Sequence, residues 1–211
     1  MRKHFMDKTA AEFIPQTASL AKLKNAAQQC KGCDLYKHAT QTVFGEGNPH
    51  APLMLVGEQP GNKEDLSGKP FVGSAGRLLH QLVEELELDE HLIYYTNSVK
   101  HFKFEQIGNR RQHRAPSAPE IRACHPWIIS ELKIVHPKVV LCLGATAAKS
   151  LISPSFHLQK ERGNLIDKPS YQIMATYHPS AILRAKMYHK DKALRCALKD
   201  DLLLAYQTAQ N

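Results

Sequence analysis

Five cysteines, twelve histidines and an excess of eight positive charges give this chain of 211 residues its reactive inventory. Cys30 and Cys33 form a Cys-x-x-Cys pair, and Cys124 lies far downstream at the end of an expected helical segment. Thiolates at that spacing suit tetrahedral zinc or an iron–sulfur cluster. A redox dithiol would follow a strand and open a helix, whereas this pair follows an Ala-, Gln- and Lys-rich helical segment, which favours metal. His101 or Cys142 could complete the set. Cys142 lies in the apolar run Val-Val-Leu-Cys-Leu-Gly and Cys196 in the last helix, and both read better as unreactive thiols. On ligand chemistry alone, zinc and iron–sulfur stay level.

A second set is polar. Glu58-Gln59, Asn97 and His178 each stand just after a short apolar run, and a basic block, Lys100-His101-Phe102-Lys103, leads into Arg110-Arg111-Gln112-His113-Arg114. Cationic residues in mid-chain attract polyanions and release their counterions, so this block reads as a basic loop on a folded scaffold.

The elements that must position these groups alternate. Helices are expected over residues 18–29, 75–86, from Ser117, over 145–151 and over 190–207; strands over 53–56, 92–96, 138–143 and 171–176. Ser117-Ala118-Pro119-Glu120 supplies a cap, an early proline and a capping-box glutamate. Residues 57–76, with five glycines and two prolines, read as loop, and so does the long segment 98–116. Strands alternating with helices imply an α/β fold: a three-layer αβα sandwich around a central four-stranded parallel sheet. Ligands bind beyond the carboxyl ends of such strands, so Glu58, Asn97 and His178 should converge on one cleft.

Residues 1–211 are expected to form a single domain, with 1–17 as a flexible N-terminal extension. The start lacks the apolar core of a secretory signal, and no apolar run is long enough to span a bilayer. A reducing compartment, the cytoplasm, is expected, with no membrane partner, and the chain is expected to act as a monomer.

Taken in order, Gly57-Glu58-Gln59-Pro60-Gly61, Gly68-Lys69-Pro70-Phe71-Val72-Gly73-Ser74-Ala75-Gly76, Thr96-Asn97-Ser98-Val99-Lys100 and His178-Pro179-Ser180 resemble the iron–sulfur branch of the uracil-DNA glycosylase superfamily. With the cysteine pair upstream, the likeness covers roughly residues 28–185. Lys100-His101-Phe102-Lys103-Phe104 and the Arg110-Arg111-Gln112-His113 loop look most like the UdgX type, in which a loop histidine bonds covalently to the deoxyribose after uracil leaves. The loop departs from that pattern at Asn109, where lysine is usual, at Gln112, where an aliphatic residue is usual, and in being somewhat shorter.

The resemblance implies excision of uracil from DNA, single-stranded included, with the base flipped out of the stack. It implies that Asn97 reads the uracil edge, Phe71 stacks on the base, and Gln59 and Asp65 assist substrate binding. His178 would stabilise charge on uracil O2, Glu58 the cationic sugar, and His113 would capture C1′. Lys100, Lys103, Arg110, Arg111 and Arg114 would grip DNA. A [4Fe-4S] cluster would be held by Cys30, Cys33 and Cys124, with His101 fourth, where ordinary members have cysteine. Other readings are a turnover glycosylase without covalent capture, a noncatalytic single-strand-binding module with structural zinc, and a cluster-carrying redox protein.

Overall fold

The computed structural model describes residues 8–16 and 19–211. In chain order the strands are β1 (Glu46–Gly47), β2 (Leu53–Gly57), β3 (Ile93–Asn97), β4 (Phe104–Ile107), β5 (Arg110–His113), β6 (Val139–Leu143), β7 (Ile166–Asp167) and β8 (Gln172–Thr176). The helices are α1 (Leu20–Ala27), α2 (Asn62–Ser67), α3 (Ser74–Glu85), α4 (Ala118–Val135), α5 (Ala145–Leu151), α6 (Leu158–Glu161), α7 (Pro179–Lys186) and α8 (Asp191–Gln210).

Strands β3, β2, β6 and β8 form the expected parallel core, in that order. Two short antiparallel strands, β1 beside β3 and β7 beside β8, extend the sheet to six. The four central strands are apolar on both faces because helices cover both. Leu53, Leu55, Ile93, Val139, Leu141 and Met174 face α3, α7 and α8, whose Leu79, Leu82, Ile182, Leu198 and Leu202 close that core. The alternate residues Met54, Val56, Tyr94, Val140, Cys142, Ile173 and Ala175 face Ile128 and Leu132 of α4 and Ala147 and Ala148 of α5. Three layers result, with residue parity assigning each side chain to its face.

Several expectations are corrected. The loop 57–76 contains α2, closed by a left-handed Gly68. Segment 98–116 is not a plain loop: β4 and β5 pair Phe104 with His113 and Ile107 with Arg110 in an antiparallel hairpin. Its strands are too polar and exposed for periodicity to mark them. Cys124 sits in the first half of α4, which runs on to Val135. Residues 10–13, assigned to a flexible extension, form a 3-10 turn that buries Ala10 beside Leu23, Ala27 and Trp127. The remainder of that expected extension includes residues 1–7 and 17, which lie outside the described residues. Among the described residues no helix is long and apolar enough to cross a membrane.

Glycines admit the close contacts at the strand ends. Gly144 turns from β6 into α5 at φ +93, where a side chain is strained, and the turn passes close to His178. A Cβ on Gly76, in the first turn of α3, would stand 1.8 Å from the Phe71 carbonyl oxygen. Gly76→Ala must therefore displace the 71–76 turn, and we expect a loss of at least about 2 kcal/mol. Urea unfolding monitored by circular dichroism measures this; a loss below ~0.5 kcal/mol would contradict the packing described.

Candidate active site

The carboxyl ends of the four parallel strands open into a cleft of about 890 Å³, within the range of small-molecule sites. Glu58, Gln59, Phe71, Asn97, His113, Thr146, Tyr177, His178, Ser180 and Arg184 are among the residues that line it. Glu58 follows β2, Asn97 ends β3, and Thr146 follows β6 in α5. His178 follows β8 and caps α7.

Asn97 is buried, and among the described residues its amide has no hydrogen-bond partner. The Phe71 ring lies beside it, tilted against Tyr95 at 5.9 Å. Both reach the cleft floor because residue 57 is glycine: a Cβ there would meet Asn97 Oδ1 at 2.3 Å and the Phe71 ring at 2.9 Å. Phe71 holds a left-handed backbone (φ 55), a strain of order 1–2 kcal/mol that the packed turn sustains.

The tautomer of His178 is set by the backbone of the helix that it caps. Ser180 N–H donates to His178 Nδ1 at 3.1 Å, so Nδ1 carries the lone pair and the proton of the neutral ring sits on Nε2. Burial pushes the imidazole down to about 4 and outweighs the opposing charge of Glu58, so the ring is neutral at pH 7. Burial also disfavours the Glu58 carboxylate. Hydrogen bonds from His113 and Thr146 outweigh that and hold its carboxyl below the usual range.

His113 lies at the foot of the hairpin, half-exposed, with Nε2 3.3 Å from Glu58 Oε1 and 2.9 Å from Gln59 Nε2. Either ring tautomer thus finds a partner: an Nε2–H donates to Glu58, and a bare Nε2 accepts from Gln59. Gln59 is fixed because its Oε1 accepts from Lys103 N at 3.1 Å while its Nε2 donates to the Arg114 carbonyl at 2.9 Å. One side chain therefore ties both strands of the hairpin to the end of β2.

The basic residues do not all face outward. Lys100 was expected on DNA, but its side chain is fully buried and paired with Glu131. Arg111 turns inward: Nη1 reaches Asp65 at 2.7 Å, Nε reaches Asn62 at 2.6 Å, and the guanidinium lies 5.0 Å from the Phe104 ring centroid. Asp65, expected to touch substrate, is instead fully buried, accepting from Thr40 N–H and Arg111. It braces the hairpin from behind the cleft. Arg110 is exposed, Arg114 pairs with Glu105, and Lys103 pairs with Glu120 at 2.8 Å.

The cysteines meet elsewhere, under α1 and α4. Cys30 and Cys124 are buried with Trp127, and Cys33 packs against them. Burial pushes the Cys124 thiol up to about 12, with Cys33 and Cys30 adding to the effect, so the three lie within electrostatic reach. Two sulfurs already accept N–H donors, Cys30 from Trp127 Nε1 and Cys124 from Lys100 N, each at 3.3 Å. Soft donors with N–H···S bonds fit an iron–sulfur group. His101 is buried with Nε2 3.0 Å from Thr42 Oγ1. Among the described residues no three His, Cys, Asp or Glu side chains stand together as a site for a single metal ion. Cys142 is buried in β6 and Cys196 is exposed on α8.

Thr146, Tyr177 and Arg184 were not singled out from the sequence, and Ser180 only as part of the His178-Pro179-Ser180 motif, with no role of its own. Thr146 could have been, since it follows Gly144 at the third strand end as Glu58 follows Gly57 at the first.

Fold and site together define a class: an α/β protein that presents a carboxylate, an amide and a neutral imidazole in one cleft at its parallel strand ends. Comparison gives the family. Residues 44–202 match the Uracil DNA glycosylase superfamily, and the chain belongs to that superfamily. It is 36% identical over 174 residues to the Type-4 uracil-DNA glycosylase of Sulfurisphaera tokodaii, covering 78% of this chain and 76% of that one. The corresponding protein of Thermotoga maritima is 33% identical, covering 83% and 86%, and that of Pyrobaculum aerophilum 31%, covering 89% and 93%.

The lowered His178 value has a stability consequence. An unfolded histidine takes its proton near 6.5 and this one near 4, so the stabilisation is complete above 6.5 and drains away as pH falls to about 4. The urea midpoint should drop across that window, and less steeply in His178→Gln; equal slopes would place His178 in a solvent-like environment.

Proposed function

We propose that this protein excises uracil from DNA. The observation that carries the reading is the buried Asn97 amide, without a hydrogen-bond partner among the described residues, beside the Phe71 ring, with the neutral His178 and anionic Glu58 lining the same cleft. Similarity to the Type-4 uracil-DNA glycosylases supports it. The amide offers a donor and an acceptor to the edge of a flipped base, a pattern that suits uracil and opposes cytosine. As the C1′–N1 bond breaks, its electron pair goes to uracil and a cation develops on the sugar. The neutral His178 donates from Nε2 to the developing anion without competing as an acid, and Glu58 faces the cation. Lys103, Arg110 and Arg114 remain the candidates for phosphate contact. Lys103 and Arg114 would exchange their carboxylate partners for phosphate.

The finer reading is UdgX-like capture, supported by His113 Nε2 standing beside Glu58 in the cleft. In that step the ring is in the tautomer protonated on Nδ1: the Nε2 lone pair forms the bond to C1′ as the bond to uracil breaks, the electron pair leaves with uracil, and the ring releases its Nδ1 proton to solvent. If water adds instead, the product is free abasic DNA and the enzyme turns over.

A [4Fe-4S] cluster on Cys30, Cys33 and Cys124 belongs to the same proposal, with His101 as fourth ligand once it leaves Thr42. When bound it would brace α1, α4 and the turn after β3, and none of the cleft steps above involves it.

Pure protein incubated with uracil-containing single-stranded DNA should give a uracil-dependent, slower-migrating band on a denaturing gel, lost in His113→Ala. No band but alkali-labile strands would mean turnover without capture, and intact strands would sink the glycosylase reading. Asn97→Ala should lower excision on the order of 100-fold, the cost of one lost transition-state contact. Cys33→Ser should lose bound iron and visible absorption, and His101→Ala should lose iron in part; full iron content in Cys33→Ser would exclude it as a ligand.

A further inference from the structure

The buried pair of Lys100 and Glu131 is the largest charged feature that the proposed chemistry leaves unused. Both side chains are completely shielded from solvent. Lys100 Nζ donates to Glu131 Oε2, to Thr96 Oγ1 at 2.7 Å and to the Asn97 carbonyl at 2.7 Å. Glu131 Oε1 accepts from Tyr94 Oη at 3.0 Å, Thr96 Oγ1 at 2.9 Å and Gly45 N at 3.2 Å. Gly45 can approach because it has no Cβ, which would stand 2.4 Å from Glu131 Oε1.

Such a pair is a poor stabiliser, since desolvation consumes much of its attraction and an apolar replacement packs as well. Its geometry serves another purpose. One of the three ammonium hydrogens goes to the main chain of Asn97, the residue whose side chain has no partner of its own among the described residues. The Asn97 amide can be aimed only through its backbone. That backbone is held on one side by the ladder to Gly57 and by Ser98 N–H on the Gly57 carbonyl at 2.9 Å. On the other it is held by Lys100 Nζ, while Lys100's own N–H is tied to Cys124 Sγ.

Resting on the glycosylase reading, we infer that Lys100 and Glu131 are positioning residues that aim Asn97 at the base edge and so set uracil recognition. The test is a charge-neutral double variant, Lys100→Met with Glu131→Gln. It keeps an acceptor for Tyr94, Thr96 and Gly45 but removes the donor to the Asn97 carbonyl. A misplacement of about an ångström costs on the order of 100-fold. The folded double variant should therefore excise uracil roughly 10- to 100-fold more slowly at saturating single-stranded DNA. The DNA concentration giving half-maximal rate should stay within about twofold, and inhibition by free uracil should weaken in parallel with the single-turnover excision rate.

A purely structural pair would leave the single-turnover excision rate and uracil inhibition unchanged in a variant with native circular dichroism, and that result overturns the inference. Should the double variant not fold, Thr96→Val removes the hydroxyl bridging the two charges. Slower excision with weaker uracil inhibition is expected, and wild-type values in the folded protein count against the pair. Wild-type protein run alongside separates the two readings: active wild type with fully active variants removes only this one, and inactive wild type removes both.

Discussion

Two side chains compete for the space that a Cβ on residue 57 would fill, and the cleft exists because glycine concedes it to them. Asn97 Oδ1 and the Phe71 ring both come within 3 Å of that missing atom, from the adjacent strand end and from the turn before α3. The ladder between β2 and β3 puts Gly57 opposite Asn97, so the register that pairs the strands also sets where the Asn97 side chain stands. Phe71 can lean in only from a left-handed backbone, and the first turn of α3 lets it do so only because Gly76 also lacks a side chain. Glu58, one residue beyond Gly57, inherits its position from this meeting, since Val99 N–H holds the Glu58 carbonyl at 3.0 Å.

His178 reaches the same cleft from a different constraint. A histidine that caps its own helix must accept the Ser180 N–H, which fixes the tautomer before any ligand arrives. Glu58 shows the complementary case, a carboxylate kept ionised despite burial because Thr146 and His113 donate to it. Surroundings that hold the imidazole neutral and the carboxylate ionised at the same pH allow the first to meet an anion and the second a cation.

The four central strands, their parallel order and the convergence of Glu58, Asn97 and His178 were legible in the sequence, because apolar runs ending at polar residues are an unambiguous pattern when both sheet faces are covered. The edge strands of two residues each were not, being too short to carry periodicity. The hairpin escaped for a different reason: its side chains pair with one another and with solvent, so nothing alternates. Counting cations could not tell which were free. Lys100 and Arg111 look like phosphate ligands in sequence and are consumed by Glu131 and Asp65, whose partnership is formed across 31 and 46 residues of chain. Asp65 misled in the same way.

Among the described residues the hairpin shares no strand ladder with the main sheet, and the side chains that join it to the rest of the fold include Gln59 and Arg111. The floor of the cleft is thus inherited with the fold, whereas the wall bearing His113 is an attachment of a dozen residues secured by a few side chains. On the proposed reading, what the protein binds and what becomes of the bound product are written in different parts of the chain, and mutation can revise the second while leaving the first intact.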